Sequence, residues 1–175
     1  MSTRSRIGII NGSQVKSIYC HFDGGLAHNG CLLFLYYNSV EKIDELINLG
    51  NLSTIGKGAS KNLGTIAYVR DGGEDELMNK HSVDRLCIKE LKQLAKIGLY
   101  DYMYFFKTSN CRWYMWNENK NKLCLLELEI ISEIKNKTLD PNLGYVREAI
   151  KYLEYVNLQK KLFKKEDIRT VQLKI

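Results

Sequence analysis

The sequence predicts an α+β fold: an antiparallel sheet, built from an N-terminal hairpin and a central aromatic meander, packed with about four helices. Three observations carry this expectation. Asn11-Gly12 separates two strand-like runs at 4–10 and 15–22, and Asn-Gly supplies the two positive φ angles that a type I′ hairpin turn demands. Residues 100–129 read as three strands joined by tight turns, with Tyr100, Tyr102, Tyr104 and Phe106 alternating on the first. Apolar residues elsewhere recur at helical spacing, and the short turns favour antiparallel pairing over a doubly wound parallel sheet.

Taken in order, the second strand places Val15, Ser17, Tyr19 and His21 on one face and Lys16, Ile18, Cys20 and Phe22 on the other, which is expected to be the buried one. Asp23-Gly24-Gly25 ends it. A helix follows through Cys31, Leu32, Leu35 and Tyr36, then a second one capped by Asn38 or Ser39, striped by Val40, Ile43, Leu46 and Ile47 and stopped at Gly50. Residues 51–64 are loop-like, 65–70 form a short strand, and Asp71-Gly72-Gly73 is a turn. Ser82 caps a helix striped by Val83, Leu86, Cys87, Leu91, Leu94 and Ala95 and ended by Gly98. In the meander, turns near 109–110 and 117–121 separate the strand of Trp113, Tyr114 and Trp116 from a return at 123–129. Asp140-Pro141 signals a helix start, with Leu143, Val146, Ile150, Leu153 and Val156 on one stripe to about residue 160; a last strand is expected at 168–175.

Composition bounds the functional classes. A chain of 175 residues with 45% hydrophobic and 26% charged residues has an ordinary core, so one domain is expected over 1–175, with 1–98 and 99–175 as alternative sub-lobes. The net charge of +6 permits nucleic acid or an acidic protein as partner and requires neither; it argues against a DNA mimic, which is acidic. Five cysteines, an odd number without a C-x-x-C pair, and three scattered histidines point to free thiols in a reducing cytosol, with no metal and no cofactor expected. Met1-Ser2-Thr3-Arg4 lacks an apolar signal region and no apolar run approaches the ~18 residues of a span, so a cytoplasmic protein without a membrane partner is expected.

Five groups of residues carry candidate chemistry. His21 and Asp23, two apart at a strand end, are spaced to share a side, and Tyr19 joins them; the trio suits a general base or a ligand pocket, and Asp23-Gly24-Gly25 equally suits an ordinary turn. Lys57 and Lys61 stand among Gly56, Gly58 and Gly64 in a loop suited to an anion, although the G-x-x-x-x-G-K-[ST] pattern is absent and a flexible basic loop has the same composition. Tyr102, Tyr104, Trp113, Tyr114 and Trp116, beside Lys107 and Arg112, suit base stacking, a protein interface or packing beneath a helix. Arg4 and Arg6 suit carboxylate or phosphate contacts, or edge-strand solubility. The lysines at 160, 161, 164 and 165 suit phosphates or a solvated helix end.

Thr3-Arg4-Ser5, then Tyr19, His21, Phe22, Asp23 and Gly24, then Gly30, resemble a group of small proteins encoded by bacteriophages and prophages, in which T-R-S precedes Y-x-[HQ]-[FW]-D-G and a glycine-bearing helix start. The resemblance spans residues 3–56; Gly25 departs from it, since Tyr often follows the D-G pair. It implies a phage or mobile-element origin, and proteins of that origin often inhibit host functions, anti-CRISPR proteins among them. The expected function is therefore a non-enzymatic inhibitor of a host defence protein, such as a nuclease–guide RNA complex, contacting it through Arg4, Arg6 and the meander. The alternatives are a nucleic-acid-binding module, or a nucleotide-binding protein with a pocket near Tyr19, His21 and Asp23 that includes Lys57 and Lys61.

Overall fold

The computed structural model describes residues 2–72 and 84–172, with side chains up to residue 159. The hairpin forms, β1 (Ser5–Asn11) pairing antiparallel with β2 (Gln14–Cys20), but its turn is shifted by one residue. Asn11 pairs with Gln14, the turn residues are Gly12 and Ser13, and only Gly12 has a positive φ, 59°, so the expected type I′ turn on Asn11-Gly12 is not the one made. The meander forms as β6 (Tyr102–Lys107), β7 (Arg112–Asn117) and β8 (Lys122–Leu125), each pair antiparallel. With β3 (Leu52–Thr54), β4 (Ile66–Ala67) and β5 (Asp84–Cys87) these make one eight-stranded sheet in the order β4-β3-β2-β1-β6-β7-β8, with β5 sharing the outer edge of β2.

The class is α+β, but the sheet is mixed. β1 and β6 run parallel, Ser5 opposite Tyr102 and Ile9 opposite Phe106. The hairpin leaves one edge of β1 open, and the long connection between β2 and β6, which carries helices and the strands β3, β4 and β5, brings β6 to that edge in the same direction as β1. This pairing joins both β-rich regions in a single sheet.

The helices are α1 (Cys31–Tyr36), entered through a π-turn at Leu26–Gly30, α2 (Val40–Ile47), α3 (Tyr68–Asp71), α4 (Leu91–Lys96), α5 (Leu126–Lys135) and α6 (Gly144–Gln172). Ser39, not Asn38, caps α2, its hydroxyl accepting from the Lys42 amide. Several boundaries differ from the sequence reading. Asp84–Cys87 is a strand, so only the end of the expected 83–95 helix is helical; Ser82 and Val83 lie outside the described residues, as does Gly73 of the 71–73 turn. The short 65–70 strand stops at Ala67 and becomes α3. The 123–129 return stops at Leu125. Leu126, Glu129 and Ile130 are buried at helical spacing whereas Leu128 is exposed, so the period is 3.6 where alternation also fitted. Asp140-Pro141 makes the turn before α6, Asp140 accepting from the Asn142 amide. Residues 168–172 of the expected last strand are helical, as the end of α6; residues 173–175 of that strand lie outside the described ones.

Both faces of the sheet are covered. On the first, Ile7, Ile9, Ile18, Cys20, Tyr104, Phe106, Trp113 and Met115 pack beneath residues of α1, α2, α5 and α6. On the second, Ile10, Val15, Met103 and Phe105 pack beneath Leu91 and its neighbours, carried by the segment that follows β5. Val15 and Ser17 are therefore buried as well as Ile18 and Cys20, and β2 does not have the single buried face its alternation suggested.

Candidate functional site

The Asp23-Gly24-Gly25 turn fastens the end of β2 to the start of β1. The Gly24 amide donates to the Thr3 carbonyl at 2.8 Å, and the Gly24 carbonyl accepts from the buried Tyr104 hydroxyl at 2.9 Å. Asn29, fully buried, donates to Ser5 Oγ and to the Phe22 carbonyl, with Cys20 Sγ 3.4 Å away. Burial pushes the Cys20 thiol up to about 12, so it stays protonated among these groups. Asp23 has a left-handed backbone, φ 56°, and this breaks the two-residue alternation that placed it beside His21. His21 Nδ1 instead shares a 2.8 Å hydrogen bond with the Tyr19 hydroxyl. The expected His21–Asp23 pair is thus replaced by a Tyr19–His21 pair, and Asp23 is an exposed turn residue.

Beside that pair lies a cleft of about 410 Å³ lined by Arg4, Arg6, Tyr19, Asn51, Asp84, Leu99 and Tyr100. Arg6 is 2% exposed and fully engaged: Nε donates to Ser17 Oγ at 2.9 Å, Nη1 donates to the Tyr100 hydroxyl, and Nη2 pairs with Asp84. Its guanidinium also lies 5.2 Å from the Tyr100 ring centroid. The Tyr19 and Tyr100 rings stand 6.1 Å apart at 52°. Burial is the largest cause raising the Tyr19 hydroxyl to about 12, which keeps it protonated. Arg4 presents a half-exposed guanidinium whose Nε is 3.8 Å from Asp101; that carboxylate already accepts the Arg4 backbone amide at 2.7 Å.

The sequence placed Arg4 and Arg6 in one group and Tyr19 in another; the fold brings them together. Asn51, Tyr100, Asp84 and Leu99 were missed. The signal for Tyr100 was its place two residues before Tyr102, which becomes informative only once Ser5 is known to oppose Tyr102.

Lys57 and Lys61 are not part of this cleft. The loop carrying them is tied inward: Tyr37 donates to the Gly56 carbonyl at 3.0 Å, Thr65 Oγ1 to the Gly58 carbonyl at 2.6 Å, and Arg70 to the Ala59 and Thr65 carbonyls at 2.6 Å each. Lys57 lies over the Tyr36 and Tyr145 rings and 3.7 Å from Glu148, and Lys61 is 4.0 Å from Asp71. The loop is a packed structural unit, unlike the flexible basic loop its composition suggested. Asp71 holds its far end, and hydrogen bonds from Arg70 and the Ala67 amide bring its carboxyl down to about 2. A lowered value means that the stability Asp71 contributes is complete above its ordinary 3.8 and is lost as pH falls through about 2. The melting temperature of Asp71→Asn is expected to lie below that of the natural protein at neutral pH, the gap closing between about pH 4 and pH 2. A gap independent of pH would remove the carboxylate's role.

The meander divides between core and surface. Tyr104 is fully buried and Trp113 is 5% exposed, its indole Nε1 donating to the Tyr37 carbonyl at 2.7 Å; with Arg6 they are internal, so the contact surface drawn from sequence is smaller than expected. Tyr102 is half-buried and stacks on Tyr104. Tyr114 and Trp116 share the second face of β7 and are both half-buried, Trp116 packing against the cluster of Ile10, Val15, Leu91, Met103 and Phe105. Lys107 Nζ sits 4.2 Å from the Tyr114 ring centroid, Asn110 donates to the Tyr114 hydroxyl at 2.7 Å, and Arg112 pairs with Glu127.

No family model, curated protein or solved structure matches the chain. Among the described residues no helix is long and apolar enough to cross a membrane, and no group of three or more His, Cys, Asp or Glu is placed to hold a metal ion.

Proposed function

We propose that the protein is a phage-encoded inhibitor of a host defence system, such as an RNA-guided nuclease, and that it acts by binding rather than by catalysis. The observation that carries this reading is the half-buried edge of the meander, where Tyr114 and Trp116 lie on one strand face with part of each ring accessible and Lys107 and Arg112 beside them. Aromatic and cationic side chains of this kind dominate the energy of protein interfaces. The +6 charge suits docking on an acidic protein surface or on nucleic acid held by the target.

The test is a tagged pull-down from nuclease-treated bacterial lysate, comparing the natural protein with Tyr114→Ala/Trp116→Ala. A protein partner that resists nuclease and falls at least about tenfold in the double variant is the expected result, a loss of about 1.4 kcal/mol or more for the two anchors together. Unchanged capture by the variant would remove the meander face from the interface. Recovery of nucleic acid alone, lost after nuclease or at high salt, would replace this reading by a nucleic-acid-binding module.

A further inference from the structure

The cleft between Arg4 and Tyr100 does not depend on the meander face, and its donors point to a ligand of their own. We propose that it binds the phosphate of a mononucleotide-sized ligand, with Arg4, the Tyr100 hydroxyl and the Asn51 amide as donors and Tyr19 as the aromatic wall for the base.

Three features distinguish these donors from structural ones. Asn51 is 6% exposed; its Oδ1 is taken by the Tyr19 amide at 3.0 Å, while its Nδ2 has no partner among the described residues and the residue lines the cleft. A buried amide left with an unmet donor is rare, and a ligand acceptor answers it. The Tyr100 oxygen accepts from Arg6 Nη1, so its own proton is left to donate; Arg6 is a positioning residue that fixes this polarity. The Arg4 guanidinium has no hydrogen bond among the described residues, because Asp101 is 3.8 Å away and bonded to the Arg4 backbone amide.

Two carboxylates border the site, and both are already compensated. Asp84 is paired by Arg6, and Asp101 accepts a backbone amide, so an anion entering between Arg4 and Tyr100 meets donors first. Three donors from three separate segments suit the several oxygens of a phosphate, whereas a carboxylate is satisfied by one arginine fork. A volume of about 410 Å³ exceeds a bare phosphate and leaves room for a ring against Tyr19.

The experiment uses the full chain with AMP, GMP, CMP and UMP, the corresponding nucleosides and inorganic phosphate as probes, titrated calorimetrically and by amide NMR. At least one monophosphate is expected to bind ten or more times tighter than its nucleoside and to shift the Asn51 side-chain amide resonances. Arg4→Gln should weaken it about tenfold or more with a melting temperature near that of the natural protein. Tyr100→Phe should weaken it similarly but also lower the melting temperature, since buried Arg6 Nη1 loses its acceptor. Lys57→Gln, outside the cleft, should leave binding unchanged. Equal affinity for nucleoside and monophosphate would overturn the phosphate assignment. Absence of binding by every probe at millimolar concentration, or binding indifferent to Arg4→Gln, would overturn the site itself.

Discussion

Replacing Trp113 by alanine is expected to destabilise the fold by about 3–5 kcal/mol, the range for large aromatic side chains removed from a core. The residue is 5% exposed, its ring meets Phe106 edge-on with centroids 5.5 Å apart, and its indole holds the Tyr37 carbonyl at the end of α1. Truncation therefore opens a cavity between the sheet and the helices and also leaves a buried carbonyl without its donor. Trp113→Phe separates the two effects: it keeps much of the ring packing, and its expected cost is about 1–3 kcal/mol from the lost hydrogen bond. Urea denaturation of both variants measures this. A shift under about 1 kcal/mol for Trp113→Ala would mean that the residue is a surface group, as its place in an aromatic, cation-flanked strand first suggested. The contrast with Tyr114, its neighbour on the opposite face, is direct: Tyr114→Ala removes a half-exposed ring, and its expected effect on stability is much smaller.

Local signals were legible where the chemistry is local. Asn11-Gly12 marked the hairpin because Gly12 supplies the positive φ that the turn needs, although the turn residues are Gly12 and Ser13 rather than Asn11 and Gly12. Ser39 marked the start of α2 because a hydroxyl is the usual answer to free helix amides. The aromatic strands were legible as strands, yet not their inside and outside, because helices cover one face and the segment after β5 covers part of the other. Alternation then loses its meaning: Ser5 to Ile10 are all buried. The 126–135 helix was hidden by a run in which Leu126 and Leu128 fit a period of 2 and Leu126 and Ile130 fit 3.6, with no capping hydroxyl to decide. The cleft was the least legible part. Arg4, Tyr19, Asn51 and Tyr100 come from four places in the chain, and the parallel pairing of β1 with β6 that collects them leaves no mark in any short window.

Within the D-G pair of the phage-like pattern, the two residues are expected to answer substitution in opposite ways. A Cβ on Gly24 would lie 2.7 Å from the Arg4 carbonyl carbon and 2.8 Å from the Ser5 nitrogen, both backbone atoms that no rotamer can clear. Gly24 cannot retreat, since its amide is held by Thr3 and its carbonyl by Tyr104. Gly24→Ala is therefore expected to cost about 3 kcal/mol through overpacking, and to weaken AMP binding if the cleft takes a monophosphate, because the displaced segment carries Arg4. Asp23 is exposed, and its left-handed backbone is one that glycine adopts without strain, so Asp23→Gly is expected to change stability by no more than about 0.5 kcal/mol. A catalytic or ligand-binding Asp23 requires the reverse: loss of function with Asp23→Gly in a protein of unchanged stability, and tolerance of a methyl at its neighbour. Denaturation midpoints for the two variants, read beside their binding of AMP and of the pull-down partner, separate the alternatives. A stable, fully folded Gly24→Ala would show that the turn is free to move away from β1, and the pattern would then have to be explained by what Asp23 touches in a complex.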